Sequence, residues 1–172
     1  QYGGTNSMLS ACIAIEELGR ICYNTAYLLV VQWVPFGAIL AGGSETQKDK
    51  YLPGLASGEL RGALSVTEPG VGSDVAGLST RAVRCDGGYK LTGTKIFCTN
   101  AAVADFIVVA AKTDTSARHS GISVFLVPTD ADGFAVTRNE SKLGARGVPS
   151  SELRFDDVFV SDEQRLGPEG EG

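Results

Sequence analysis

Residues 62–74 place a short apolar strand directly before a loop that is rich in glycine, serine and acidic side chains. The strand runs into Thr67, so its end carries hydroxyls and backbone N–H groups. Such groups suit the polar edge of an aromatic cofactor or the oxygens of a phosphate. A second predicted strand, residues 93–100, also ends with an aromatic side chain and a threonine, Phe97 and Thr99. These two segments are the best candidates for a binding site.

The glycines of residues 70–73 do not form a dinucleotide-binding fingerprint. Val75 stands where the third glycine would be, and no helix–strand unit follows. A Rossmann interpretation therefore fails on its structural context.

Metal and nucleic-acid sites are also not indicated. The four cysteines, at positions 12, 22, 85 and 98, have no Cys-x-x-Cys spacing, and the single histidine, His119, lies in a polar loop. We predict no metal site and no disulfide framework, and we expect the cysteines to be buried or half-buried in a reducing compartment. A net charge of −5 without a Lys/Arg cluster argues against a nucleic-acid partner.

The elements that must position these residues change in type near residue 60. Before it, apolar residues recur at helical spacing, which predicts helices near 7–20 and 23–41 and a third from 45 that Pro53 interrupts. The apolar run 26–41 has 16 residues, fewer than the ~20 of a membrane span. We expect a buried, proline-kinked helix there and no membrane span.

After residue 60 the pattern predicts short strands bounded by Gly, Asp, Asn or Pro, with a hairpin at residues 86–88. Eight such strands imply a β-barrel or two packed sheets, and hence an α+β protein. The predicted strands are residues 63–66, 80–83, 89–91, 95–97, 106–109, 122–127, 134–136 and 153–155.

The two candidate segments together resemble the flavin-binding signature of the acyl-CoA dehydrogenase family. Further strings that resemble the family, in the same order, are residues 2–4, 15–19, 43–53, 142–144, 153–160 and 166–167. The resemblance covers nearly the whole chain. It implies that residues 1–60 are the end of an N-terminal helical domain, that residues 61–172 are the middle β domain, and that the C-terminal helical domain is absent.

The activity that the resemblance implies is α,β-dehydrogenation of an acyl-CoA thioester, in which a base removes an α-proton and FAD accepts the β-hydride. By resemblance the base is a glutamate of the C-terminal domain, so we assign no catalytic residue to this chain. Glu68 lies in the signature, but we expect it to accept hydrogen bonds from neighbouring backbone N–H groups in a turn.

The resemblance also assigns cofactor contacts to the two strand ends. Thr67 would bind the pyrimidine edge of the flavin, Phe97 would pack on the ring where the family often has tryptophan, and Thr99 would donate a hydrogen bond to it. Ser73 would bind the pyrophosphate of FAD and lie near the CoA of the substrate. The full set of expected FAD-binding residues is Leu64, Ser65, Val66, Thr67, Ser73, Phe97, Cys98 and Thr99. We expect Cys98 to be a packing residue, because it points to the other face of its strand.

The expected partners are an acyl-CoA substrate, an electron-transferring flavoprotein as acceptor, and further copies of the chain in a homo-oligomer, a tetramer in the complete protein. Both the bacterial cytoplasm and the mitochondrial matrix are compatible with the resemblance. Two alternatives stay open: a non-catalytic binding module, and an acyl-CoA oxidase or flavin monooxygenase on the same scaffold.

Overall fold

A computed structural model describes residues 7–172, which form three helices followed by eight strands. The first six residues of the predicted helical domain lie outside the described residues. The helices are α1 (Met8–Ile21), α2 (Tyr23–Gly42) and α3 (Glu45–Ser57). The strands are β1 (Gly62–Ser65), β2 (Arg81–Cys85), β3 (Gly88–Thr99), β4 (Phe106–Lys112), β5 (Ile122–Pro128), β6 (Phe134–Asn139), β7 (Ser150–Ser161) and β8 (Arg165–Leu166).

Helix α3 begins with a capping box, as residues 44–47 predict. The Gln47 N–H donates to Ser44 Oγ at 3.2 Å, and the Ser44 N–H donates to Gln47 Oε1 at 2.8 Å. The expected break at Pro53 is wrong, because α3 continues through Pro53 to Ser57. Leu52 and Leu55 on its inner face are almost completely buried, and their apolar contacts offset the hydrogen bond that a proline cannot donate.

Helix α2 has 20 residues and includes Pro35. It is longer than the 16-residue run indicated and is long and apolar enough to cross a membrane, and 22% of its most apolar window is buried. Length and composition alone are weak evidence for a span, because a helix packed on a soluble core meets the same criteria. The expectation of a buried helix is only partly right, since α2 buries one face, at Ala26, Val31, Pro35 and Ile39.

The strands form a single sheet in the order β6-β7-β3-β2-β4-β5-β8, and β1 pairs in parallel with β4. The α+β class, with helices before a β domain, is confirmed, but the strands form one open sheet, so the expectation of a barrel or of two packed sheets is wrong. The sheet does not close because β6 pairs only with β7 and β8 only with β5. The predicted strands 89–91 and 95–97 are parts of one long strand, β3, and β8 was not predicted. The hairpin at 86–88 joins β2 to β3, with Gly87 at a φ of 72°.

The sheet curls over an apolar core, which brings non-adjacent strands together. The rings of Tyr89 on β3 and Phe125 on β5 lie 5.0 Å apart, centroid to centroid. A second cluster joins the helices to the other side of the sheet, where the rings of Tyr51 on α3 and Phe106 on β4 are 4.8 Å apart. The helices and the sheet therefore stabilise each other through shared buried surface.

The cysteines follow the prediction only in part. Cys98 is buried and Cys85 is partly exposed, as expected, but Cys12 and Cys22 are exposed. The difference arises because α1 has no buried residue and Cys22 caps the start of α2. Within residues 7–172, no group of three or more His, Cys, Asp or Glu side chains could hold a metal ion.

Candidate functional site

The two segments singled out by sequence lie side by side. The Ile96 N–H on β3 donates to the Thr67 carbonyl at 2.9 Å. Closer to β1, the Cys98 thiol donates to the Leu64 carbonyl at 3.3 Å. The chain after β1 therefore runs along the C-terminal part of β3, although it forms no regular ladder with it. The contact places the predicted flavin-binding residues of β3 beside those of β1 and the residues that follow it, with the two segments running antiparallel.

A bulge in β3 exposes Phe97. The register between β3 and β7 shifts between Lys95 and Cys98, and Phe97 within this interval has a φ of 55°. A phenylalanine in the left-handed region is strained, and such strain is often found at functional sites. The side chain is 59% exposed. In a regular strand the Phe97 side chain would point in a different direction. The bulge instead exposes its aromatic ring, which a ligand can contact.

A cavity of about 210 Å³ lies between α2 and the strand ends. Its walls are four residues of α2 and the side chains of Leu64 and Thr99; the α2 residues are Tyr27, Val30, Val31 and Val34. The cavity is mainly apolar, with a hydroxyl at one side, as an aromatic ligand requires. Thr67 is not among its lining residues, so the shared concavity expected for Thr67 and Thr99 stays a prediction.

The remaining predicted residues differ in accessibility. Leu64 is partly exposed, whereas Ser65 is buried and its Oγ has no hydrogen-bond partner. Val66 and Thr67 are partly exposed, and Ser73 is exposed in the loop beyond them. Cys98 is buried, as expected for a packing residue, and burial raises the pKa of its thiol to about 11. Cys98 can therefore contribute to a ligand site only through its backbone.

The loop after Thr67 folds back on itself at once. Glu68 and Val71 exchange backbone hydrogen bonds of 2.9 and 3.0 Å, which close a turn around Pro69 and Gly70. Nothing lies within 4 Å of the position that a Cβ on Gly70 would occupy, and the same holds for Gly72. The loop tip is accordingly open, as a segment that approaches a ligand with its backbone must be.

Glu68 is more deeply buried than the sequence analysis predicts. It does accept hydrogen bonds from backbone N–H groups, but these belong to Ser79 and Thr80, at 2.7 and 2.9 Å, and the Ser79 hydroxyl donates as well. The carboxylate thus closes the neck of the loop. Burial opposes its ionisation, but the hydrogen bonds from Ser79, Thr80 and Lys95 outweigh burial and lower its pKa to about 2.

Lys95 is the residue that the sequence analysis missed. Its side chain is fully buried, and Nζ donates to Glu68 Oε1 and to the Val66 carbonyl, each at 2.9 Å. Burial lowers the pKa of Lys95, while the bond to Glu68 opposes that change. The sequence did contain a signal, because Lys95 has the same strand parity as the buried Tyr89 and Leu91. A lysine at such a position requires a partner.

The loop at residues 113–121 lies beside the glycine-rich loop. Arg118 is 3.6 Å from Asp74 across the two loops, with both side chains mostly exposed. Lys112, a second buried lysine, anchors this loop by donating to the carbonyls of Ala117 and Arg118. His119 is exposed, in agreement with the polar loop that the sequence indicates.

Two family models match the chain. The model described as acyl-CoA dehydrogenase, middle domain, matches residues 63–158. The model described as acyl-CoA dehydrogenase, N-terminal domain, matches residues 1–59.

Individual proteins show the same likeness. The chain is 44% identical over 174 residues to the mitochondrial 2-methylacyl-CoA dehydrogenase of Solanum tuberosum, covering all of this chain and 42% of that protein. Butyryl-CoA dehydrogenase from Megasphaera elsdenii has 38% identity and a TM-score of 0.94, over 99% of this chain and 46% of that one. The FAD complex of PigA has 36% identity and a TM-score of 0.94, over 100% and 46%. The chain therefore spans less than half the length of these relatives.

Proposed function

The chain belongs to the acyl-CoA dehydrogenase family, and from this we propose that the full-length protein containing it is an FAD-dependent enzyme that oxidises the Cα–Cβ bond of an acyl-CoA thioester. The observation that carries the proposal is the contact between the two segments: Phe97 is exposed on a strained bulge of β3, and the adjacent Ile96 N–H donates to the carbonyl of Thr67. Family membership alone would not require this geometry to be intact.

The residues present fit a flavin. An exposed aromatic ring and the apolar side chain of Leu64 can pack on a flat ring system, while Thr67 and Thr99 supply one hydroxyl from each of the two adjacent segments. We propose that Leu64, Ser65, Val66, Thr67, Phe97, Cys98 and Thr99 hold the ring, with Ser65, Val66 and Cys98 acting through their backbone. Ser73, on the open loop, is proposed to bind the pyrophosphate and to lie near the CoA.

Bound FAD would supply the two-electron acceptor that the amino acids lack. This chain would orient the flavin, cover part of its surface and keep water from it. Phenylalanine at position 97 can pack on a ring but cannot donate the hydrogen bond of an indole N–H. The hydroxyls of Thr67 and Thr99 are therefore proposed to carry the side-chain hydrogen bonds to the ring.

Glu68 is unsuited to act as the catalytic base. Its carboxylate is buried and accepts four hydrogen bonds, from Ser79, Thr80 and Lys95. A pKa of about 2 makes it a weak proton acceptor. We therefore place the base outside this chain, in the part of the protein that the relatives have in addition.

The proposed partners follow from the same family. The substrate class is an acyl-CoA; two relatives are named for 2-methylacyl-CoA and butyryl-CoA, which differ in branching. An electron-transferring flavoprotein is proposed as the electron acceptor, and a homotetramer as the assembly.

The test is turnover by the full-length protein with an artificial electron acceptor. We expect it to purify with FAD and to convert at least one of butyryl-CoA, isovaleryl-CoA and octanoyl-CoA into its 2-enoyl product. Hydrogen peroxide in air without an acceptor would indicate an oxidase instead. A well-folded protein that binds no FAD would favour the non-catalytic binding module and overturn the proposal.

A further inference from the structure

The ion pair between Glu68 and Lys95 is fully buried beside the Val66 carbonyl, next to the proposed flavin-binding residue Thr67. The two side chains are 1% and 0% exposed, and Nζ is 2.9 Å from Oε1. Such a pair is costly to bury, because its attraction must offset the desolvation of both charges. The dehydrogenation chemistry proposed above uses neither group. The position of the pair therefore needs a separate explanation.

Lys95 acts on the backbone that precedes Thr67. Besides the carboxylate, its Nζ donates to the Val66 carbonyl at 2.9 Å. That carbonyl and the Thr67 N–H belong to the same peptide unit. A cation bound to the oxygen of a peptide draws electron density from its nitrogen and makes the N–H a stronger donor. Lys95 therefore makes the Thr67 N–H a stronger hydrogen-bond donor.

The other side of Thr67 is held from the same strand. The Ile96 N–H donates to the Thr67 carbonyl at 2.9 Å. Consecutive residues of β3 therefore fix the two peptide units that flank Thr67. Glu68 completes the arrangement, since its carboxylate holds Lys95 and also binds Ser79 and Thr80 at the far end of the loop.

We propose that Lys95 is a positioning residue for the flavin, whose buried ammonium group both fixes and polarises the Val66–Thr67 peptide unit so that bound FAD is easier to reduce. The inference rests on the proposed function. Reduction adds electron density to the flavin ring. If the Thr67 N–H donates to the pyrimidine edge of the ring, strengthening this donor favours the reduced form over the oxidised one. Glu68 holds the ammonium group in place but, being negative, acts on the potential in the opposite sense.

The test compares the reduction potential of bound FAD in four forms of the full-length protein. Lys95→Met removes the charge and should lower the ratio of reduced-state to oxidised-state affinity about tenfold, a fall of ~30 mV for a two-electron couple. Lys95→Arg keeps the charge, so its FAD should have a potential close to that of the unaltered protein. Lys112→Met is the matched control, because it removes the other buried lysine, whose partners are loop carbonyls. It should destabilise the fold but leave the potential unchanged.

Glu68→Gln gives a second test that does not require the Lys95 variant to fold. Glutamine keeps an acceptor oxygen for Lys95 and removes only the negative charge. The measurement is made at about pH 6 to favour the protonated form of Lys95, since burial lowers its pKa and the variant lacks the charge that opposes this; the potential should then rise. A purely structural role predicts a different result. Lys95→Met and Glu68→Gln would both weaken FAD binding, but Lys95→Met would not lower the potential and Glu68→Gln would not raise it.

The inference is overturned if Lys95→Met and Lys112→Met give the same potential, or if Glu68→Gln lowers it. The proposed function fails in a different way. In that case the unaltered protein binds no FAD, or binds FAD that acyl-CoA does not reduce.

Discussion

The Glu68 carboxylate accepts four hydrogen bonds, and all of them come from donors outside its own turn. The motif around Pro69 and Gly70 correctly predicts a turn, and the carboxylate does accept backbone N–H groups. Its donors, however, are 11 and 12 residues further along the chain, and the fourth hydrogen bond comes from Lys95 on another strand. These partners depend on how the loop closes, which is a tertiary property. Sequence alone therefore identified the residue but not its burial.

Glu68→Gln should change how the stability of the full-length protein depends on acidic pH. The folded-state pKa, about 2, lies below the ordinary value of 4.5, so the stabilisation is complete above about 4.5 and is lost as the pH falls toward 2. A shift of this size corresponds to roughly 3 kcal/mol. Urea unfolding between these pH values should show a decline for the unaltered protein that is smaller in the variant.

Glu59→Gln is the control for that measurement, because Glu59 is exposed. Its profile should follow that of the unaltered protein. An acid profile of Glu68→Gln that is superimposable on the unaltered one would show that the hydrogen bonds to the Glu68 carboxylate do not lower its pKa.

Thr67→Ala tests the most important proposed contact of the flavin edge. Removing one hydrogen bond to the ring should weaken FAD binding or slow flavin reduction, by about 1–3 kcal/mol. Thr137→Ala is a matched control on β6, where the hydroxyl binds only Glu152. Equilibrium FAD titration and stopped-flow reduction measure both effects. Unchanged values for Thr67→Ala would remove this side chain from the site.

At the scale of elements, periodicity located most of the structure. The apolar spacing gave α1 and α2 to within a few residues, and the strand pattern found the positions of β1 to β7. It divided β3 into two strands, because Gly93 and the polar residues around it look like a turn. The bulge at Phe97 could not be predicted either, since it arises from the register with β7, more than 50 residues away. Similarly, Pro53 ends a helix by local rules, yet tertiary packing of α3 overrides them.

Gly62 is the point where helix α2 contacts the start of β1. A Cβ at this position would lie 2.7 Å from Pro35 Cγ and 3.0 Å from Phe106 Cζ. Gly62→Ala should therefore separate the helix from the sheet and destabilise the protein by about 1–3 kcal/mol. The free energy of unfolding in urea measures this change.

Gly37→Ala on the same helix provides the comparison. Nothing lies within 4 Å of its Cβ position, and alanine is the better helix former by about 0.5–1 kcal/mol. It should be neutral or stabilising. If the two substitutions cost the same, the close contact between α2 and β1 is wrong.

The whole molecule follows the predicted class but not the predicted closure. Counting strands indicates a large sheet, whereas whether its edges meet depends on the twist and the lengths of β6 and β8, which have no local signature. The helices were expected to bury too little surface for independent stability. The structure is consistent with that expectation, because α1 buries no residue and because α2 and α3 share their core with β4.

The isolated 172-residue chain should bind FAD more weakly than the full-length protein and should not dehydrogenate acyl-CoA. Phe97 is 59% exposed, so this chain covers only part of a bound flavin, and affinity depends on the contact area that is buried. Fluorescence titration with FAD and an acyl-CoA turnover assay measure the two properties. Turnover by the isolated chain would show that the catalytic base lies within it.

We propose that the two adjacent segments, residues 64–67 and 97–99, hold a flavin which an acyl-CoA thioester reduces. An anaerobic titration of the FAD-loaded, full-length protein with butyryl-CoA, isovaleryl-CoA and octanoyl-CoA tests it most directly. With at least one of them, the visible absorption of oxidised flavin should disappear as the 2-enoyl-CoA forms in equal amount. A flavin that dithionite reduces but that none of these thioesters reduces would contradict the account.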